Sequence, residues 1–476
     1  MGFAEMWRLD GTIGRGRYAL TGLCAFAVKF VVDRFVAMEV FHRVWLPWNY
    51  VLFPWRPKVI GIENVPANPA VNPWARATPG DEAAFAATML AVAVPFIWLG
   101  VTLTVQRLRD AGQPLWLVAL FFIPVINLVF LFVMCVMDSH PRGDAKEVAT
   151  PWPNTPGIGQ WIPRSKLGAG LVAMVATVVI GLMFAAFSTQ VLKTYGSGLF
   201  VAAPFCLGLF SVLVYSYHEP RDWWQCLMVS LVPIVLLGGV LVIVALEGII
   251  CILMAAPFAA GLAAFGGAIG YAIQAGYWKA RQTPAVLSIV LLFTPGFAGV
   301  EHMLKPHPGT FAVKSAIEVN APPEVVWKEV VSFSEIAPPT EMIFRAGIAY
   351  PMRAEMIGRG VGAERHCVFS TGQFVEPIQV WDAPRLLRFG VSENPPPMHE
   401  ITPYARIHAP HLHGYFVSHQ GQFLLTALSG GRTRLEGTTW YSHTMWPEAY
   451  WHLWSDYVIH RIHMRVLEHI KKEVEK

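Results

Sequence analysis

Thirteen of the sixteen histidines lie beyond residue 301, and they form two groups whose spacing invites chemistry. His452, Asp456, His460 and His463 stand four, four and three apart, so they line one stripe of a helix, with Asp456 placed to orient His460. That makes Asp456, His460 and His463 the catalytic candidates. His408, His411 and His413 enter a strand pattern, in which His411 and His413 share a side. Zinc needs three or four ligands converging tetrahedrally and neither spacing is a zinc signature, so no metal is expected, and polar residues at the rim of a site are the plainer reading. Two further places put charge in apolar surroundings: Lys29 and Asp33, on one face of a helix, and Glu247, at the head of a later apolar run. Each is a candidate intramembrane charge, serving a proton or ion path or only packing. No G-x-S-x-G, H-E-x-x-H or phosphate-loop sequence occurs, and Gly360-Val361-Gly362 lacks a strand-to-helix setting. No cofactor is expected.

The elements that must hold these residues belong to two different solvents. With glycine counted in and tyrosine out, apolar residues reach roughly 60%, against about 45–50% in a soluble domain. Charged residues make up 14%. They are unevenly spread, about 11% over residues 1–308 and about 20% over 309–476, so a membrane portion precedes a soluble one. About eight apolar runs approach the roughly 20 residues a bilayer crossing needs: 18–41, 84–106, 115–137, 167–188, 199–216, 226–246, 248–274 and 285–300, the last of them short. Trp45, Trp48, Trp223, Trp224 and Trp278 mark their ends. This gives a membrane domain over 1–137 with about three spans, a loop over 138–166, a second helical block over 167–300 with about five, and a soluble domain over 309–476.

Arg8, Arg15 and Arg17 before the first run and Arg107 and Arg109 after the second favour a cytoplasmic N-terminus. Arg142, Lys146, Arg164, Lys166, Lys279 and Arg281 pull the other way, yet both termini inside is the preferred arrangement. The first run has no small-residue cleavage site and is read as a retained span. The six cysteines form no C-x-x-C pair and are expected as free thiols. A net charge of +4 without a basic run gives no reason to expect nucleic acid.

Gly11-Thr12-Ile13-Gly14-Arg15-Gly16-Arg17-Tyr18 and Gln106-Arg107-Leu108-Arg109-Asp110-Ala111-Gly112-Gln113-Pro114-Leu115-Trp116 together resemble the YhaH-like family of small bacterial inner-membrane proteins, whose function is unknown. Thr12, Gln106 and Arg109 depart from its pattern. The resemblance implies a bacterial inner membrane and supplies no reaction. Arg107 and Arg109 are the candidate contacts to lipid headgroups.

Beyond residue 310 alternation replaces the long apolar runs. Strands are expected over 311–319, 353–359, 363–370, 373–381, 386–392, 414–427 and 432–443, a short helix after Pro322, and a long helix over 447–474 striped by Trp454, Val458, Ile462, Val466 and Ile470. This order, with Ala321-Pro322-Pro323-Glu324-Val325-Val326-Trp327, Gly360-Val361-Gly362-Ala363-Glu364-Arg365 and Gln373-Phe374-Val375-Glu376-Pro377-Ile378, resembles the SRPBCC superfamily of START and polyketide-cyclase-like domains. The resemblance implies an α+β helix-grip fold, a curved antiparallel sheet gripping a C-terminal helix around an apolar cavity. Glu364, Arg365, His411, His413 and Trp454 are the candidate ligand-binding residues.

The fold class expected is thus a multi-pass α-helical membrane protein with a C-terminal helix-grip domain. Its partners are the lipid bilayer and a hydrophobic small molecule or lipid, and its oligomeric state is left open. Capture, sensing or transfer of that ligand leads over bond making. A cyclase- or hydrolase-like enzyme on a hydrophobic substrate is one alternative. A ligand-gated transporter or pore is the other.

Overall fold

The computed structural model describes residues 6–41, 43, 45, 47–50, 79–123, 125–137, 139, 161–275, 283–304, 309–404, 407 and 409–476. Most of the loop expected over 138–166 lies outside them, as do Trp278, Lys279, Arg281, His408 and the side chain of Trp48.

Helices occupy the places the apolar runs indicate: α1 (Arg15–Phe35), α2 (Pro79–Asp110), α3 (Ile126–Val136), α4 (Lys166–Ala186), α5 (Ala203–Tyr215), α6 (Trp223–Ile243), α7 (Ile249–Ala275) and α8 (Thr283–Leu304). Among the described residues six helices are long and apolar enough to cross a membrane: Ala83–Asp110, Lys166–Val191, Gly198–Tyr215, Trp223–Ile243, Ile249–Ala275 and Val286–Met303. The first and third expected spans are not among them. α1 carries Lys29, Asp33 and Arg34 in its second half. The run over 115–137 divides into a 3-10 segment, Leu115–Phe122, and the eleven-residue α3. Pro124 explains the division, because it has no N–H to continue a helix and drives the residue before it into extended backbone, as seen at Ile123.

The described chain forms two compact units. The first comprises Met1–Gly181, Val201–Ile234 and Ala259–Glu301. At its centre every residue of α5 is buried, as expected for a helix apolar on all sides. α4 shows the opposite arrangement, with Leu171, Val175 and Val179 exposed four apart and Ala169, Ala173 and Thr177 buried on the other face. Such an outward apolar stripe suits lipid as its solvent.

Glycines let α5 and α7 meet backbone to backbone. A Cβ at Gly208 would lie 2.1 Å from the Ala263 carbonyl oxygen, and one at Gly266 would lie 2.1 Å from that of Phe205. Main chain cannot swing aside, so Gly208→Val is expected to destabilise this unit by at least about 1–3 kcal/mol. Thermal unfolding of the detergent-solubilised chain checks this, with Gly261→Ala as the control because a Cβ there meets nothing within 4 Å. An unchanged midpoint in Gly208→Val would refute the close crossing.

The second unit comprises Leu182–Phe200, Val235–Phe258 and His302–Lys476. Its seven strands are β1 (Phe311–Val319), β2 (Pro351–Ile357), β3 (Glu364–Phe369), β4 (Gly372–Asp382), β5 (Leu386–Gly390), β6 (Phe416–Leu428) and β7 (Arg432–His443). They form one antiparallel sheet in the order β1-β7-β6-β5-β4-β3-β2. Gly430 and Gly431, with φ of 78° and 71°, make the tight turn between β6 and β7. Three helices accompany the sheet: α9 (Pro323–Val331), the single turn α10 (Met342–Arg345) and the 27-residue α11 (Glu448–Val474). α11 packs on β1, β7 and α9, and Val466, Leu467 and Ile470 join Val326, Val330, Leu387, Leu425 and Leu435 in the core. A sheet wrapped around a terminal helix in this order is the helix-grip fold.

Candidate functional site

Between the sheet and α11 lies a cavity of about 200 Å³. Phe369, Phe374, Phe389 and Phe423 line it from the strands, and Trp454, Val458, Ile462 and Val466 line it from α11. Four of the five stripe residues of the terminal helix therefore face this space, while Ile470 is packed in the core. Cys251 and Met254, from the first turns of the membrane-length helix α7, complete one part of the wall.

Few charges enter this apolar space. Arg365 on β3 stands directly opposite Glu376 on β4 in the strand register, and the two form a buried ion pair. The guanidinium also lies 5.5, 5.3 and 5.5 Å from the ring centres of Phe333, Phe389 and Phe423, which favours a cation in a desolvated setting. Its Nε has no hydrogen-bond partner. Burial lifts the Glu376 carboxyl above the usual carboxylate range, although Arg365 pulls it back down. Burial likewise pushes the Cys367 thiol up to about 12, so this lining residue remains a thiol and not a nucleophile at neutral pH. Glu364, one residue before Arg365, is exposed with its carboxylate 3.5 Å from His366.

The polar row of α11 is bonded to the sheet. Tyr441 donates its hydroxyl proton to Asp456 (2.8 Å) and lies 2.8 Å from His452 Nδ1, while His452 Nε2 lies 3.0 Å from the same carboxylate. Ser315 on β1 reaches His460 (2.7 Å) and His463 (3.1 Å), and Thr439 on β7 reaches His463 from the other side (2.8 Å). Of the four, only His463 lines the cavity.

Burial lowers the pKa of His463 to about 4, and that of His443, 2% exposed and stacked on Phe311, to about 4 as well. Both rings are therefore neutral in the fold, while in the unfolded chain they take up protons near 6.5. Between these values the unfolded state binds more protons, so stability falls as pH drops from about 6.5 towards 4, by about 1–3 kcal/mol per ring. Thermal unfolding across that range checks the sign, and His443→Phe is expected to flatten the slope. A midpoint that rises on acidification would refute it.

A second polar group sits where α7 begins. Glu400 accepts the backbone N–H groups of Ile250 (3.0 Å) and Cys251 (3.1 Å), capping α7 from far along the chain. Its carboxylate also meets His411 Nε2 at 3.2 Å. His411 Nδ1 lies 3.0 Å from Glu247, which in turn accepts the Tyr195 hydroxyl. Burial pulls the His411 pKa down, but the two carboxylates beside the ring, Glu247 and Glu400, outweigh it and carry the pKa to about 9. His413, two residues on, is exposed.

In the first unit Lys29 and Asp33 form an ion pair, and Tyr50 donates to the Asp33 carboxylate. Arg107 is fully buried, bonded to the carbonyls of Met134 (2.9 Å) and Met137 and paired with Asp110 (2.6 Å). Arg109 is exposed and donates to the Leu9 carbonyl.

Sequence reading passed over Cys251, Glu376, Glu400, Tyr195 and Tyr441. Two of these left a trace. Cys251 follows Glu247 by four, and Glu376 is a charge at an inward position of the Phe374-Glu376-Ile378 alternation. Nothing local marks Glu400.

Fold and cavity define an integral membrane protein that ends in a helix-grip domain. Residues 6–145 match the model of a family described as a protein of unknown function, DUF805, so the N-terminal part of the chain is similar to that membrane family, in keeping with the resemblance read at 11–18 and 106–116. No curated protein matches the chain. Solved structures similar to its C-terminal part include the Zhui aromatase/cyclase from Streptomyces sp. R1128, at 16% identity over 35% of this chain and 94% of that one, with a TM-score of 0.24. Norcoclaurine synthase from Thalictrum flavum is another, at 12% identity over 36% and 96%, with a TM-score of 0.24. A third is a protein from Thermus thermophilus, at 15% identity over 35% and 97%, again with a TM-score of 0.24.

Proposed function

We propose that this membrane protein takes up a hydrophobic small molecule or lipid-like metabolite in the helix-grip cavity, for sensing or transfer beside the bilayer. The observation that carries the reading is an apolar cavity whose wall includes Cys251 and Met254 of a membrane-length helix. Tethering keeps the cavity next to a reservoir of apolar molecules, so effective concentration substitutes for intrinsic affinity. Arg365 suits the polar end of the ligand, since its Nε is unpartnered and Glu376 already balances its charge. A carbonyl or hydroxyl oxygen fits this better than a carboxylate. Binding fits better than catalysis, because Asp456 and His460 are engaged in docking α11 on β1 and β7. The reading extends to a bacterial inner membrane with both termini cytoplasmic, supported by Arg8, Arg15, Arg17 and Arg109 flanking the first apolar runs, and Arg109 is the proposed headgroup contact.

The full chain, purified in mild detergent, is expected to release an apolar molecule on denaturing extraction and mass spectrometry. In a panel of fatty alcohols, ketones, fatty acids and isoprenoids, a true ligand at 100 times its Kd adds about 2.7 kcal/mol of stability. No co-purifying molecule together with no thermal shift across the panel would sink the proposal.

A further inference from the structure

The cluster that joins α7 to the connection before β6 carries donor atoms that its hydrogen bonds leave unused. A carboxylate oxygen of Glu247, the sulfur of Cys251 and a ring nitrogen of His411 all lie within 4.8 Å of one another, and all three residues are buried. Glu247 Oε2 and His411 Nδ1 have no hydrogen-bond partner, although the two side chains are only 6% and 5% exposed. They stand 3.0 Å apart, but the ring N–H direction does not meet the carboxylate oxygen. Two unsatisfied polar atoms facing a thiol in a buried site are costly as they stand.

The surrounding groups would orient each donor toward a common centre. Glu400 accepts the proton on His411 Nε2 (3.2 Å), the carboxylate–histidine relay that supports metal-bound imidazoles, so that loss of the Nδ1 proton on binding turns this nitrogen's lone pair toward the common centre. Tyr195 donates to Oε1 of Glu247 and so leaves Oε2 free. Cys251 sits in the first turn of α7, which brings its sulfur to the same centre as the Glu247 carboxylate and the His411 ring. Thiolate, imidazole and carboxylate together are the donor set of a zinc-class divalent cation.

We infer that Glu247, Cys251 and His411 bind one zinc-class divalent cation, with Tyr195 and Glu400 as positioning residues. Binding displaces the thiol proton of Cys251 and the Nδ1 proton of His411 to solvent and involves no change of oxidation state. Because Cys251 and His411 also line the cavity, the remaining coordination position falls on the cavity side, open to water. Resting on the ligand reading above, that position is also open to an oxygen of the bound molecule. The metal site itself stands or falls separately, since its test needs no apolar ligand.

The test uses the full chain in detergent, stripped with a chelator and reloaded with zinc or cobalt(II) alone. The wild type is expected to retain one equivalent of zinc through gel filtration. Its cobalt form is expected to show a thiolate-to-cobalt charge-transfer band and the intense visible bands of tetrahedral geometry. Cys251→Ser removes the charge-transfer band, and His411→Gln and Glu247→Gln each weaken zinc binding by at least 10-fold, about the smallest loss expected for a direct ligand when outer-sphere partners alone cost 10–100-fold. Cys24→Ser, at an exposed cysteine, leaves both readouts unchanged. Zinc that elutes away from the wild type, or a cobalt complex without a thiolate band, overturns the inference whatever the variants do. So does loss of the band in Cys24→Ser.

Discussion

Arg365→Met is expected to destabilise the helix-grip unit by about 3–5 kcal/mol, because it leaves the Glu376 carboxylate buried without its counter-charge. Arg365 is 2% and Glu376 6% exposed, so the pair is shielded from bulk water. The contacts of the guanidinium with Phe333, Phe389 and Phe423 go as well. Removing both charges reverses the outcome: Arg365→Met combined with Glu376→Leu is expected to match the parent or exceed it by about 1–4 kcal/mol, as buried pairs replaced by apolar residues often do. Ligand retention separates the two roles of the pair. If Arg365 holds the polar end of the ligand, the double variant is stable and empty, shown by thermal unfolding alongside mass spectrometry of the extracted chain. A stable double variant that still carries the parent's ligand would show that the pair serves the fold alone. A single variant as stable as the parent would show that the pair is not desolvated.

Glu400→Ala is expected to cost about 2–5 kcal/mol, since hydrogen bonds to a charged group contribute about 1.5–3 kcal/mol each and this carboxylate accepts two. The side chain is 1% exposed, and its loss also removes one of the two carboxylates facing His411. Glu400→Gln keeps a carbonyl for the backbone groups and is expected to lose less than half as much. Hydrogen exchange offers a local readout, because the amides of Ile250 and Cys251 should exchange faster in Glu400→Ala while those deeper in α7 stay protected. Unchanged exchange at these two positions would mean that Glu400 does not cap the helix.

Most secondary structure is legible in the sequence. Alternation at 311–319 and 432–443 and the stripe from Trp454 to Ile470 each depend only on neighbours a few residues away, and the elements stand where those periods put them. The run over 115–137 misled because hydropathy averages over Pro124, while the backbone does not. The single turn α10 has no period to detect. At the site, His411 was singled out as one of a group of histidines and Glu247 as a charge in apolar surroundings, but not as neighbours, because 164 positions separate them. Glu400 looked like an ordinary loop carboxylate. Its importance comes entirely from the two helix N–H groups it meets.

Composition and periodicity were enough to establish two solvents, a chain of apolar helices and an alternating domain closed by a long amphipathic helix, since burial against lipid or core imposes residue type position by position. Which polar groups converge was decided by the tertiary structure alone. Arg365 faces Glu376 only because β3 and β4 take one register among several that keep the same faces inward. Glu247, Cys251, Glu400 and His411 meet only because the connection before β6 folds back onto the start of α7. Local patterns encode which side of an element is buried. The partner across the gap is chosen by the sum of many weak contacts between distant segments, and no single residue carries that sum.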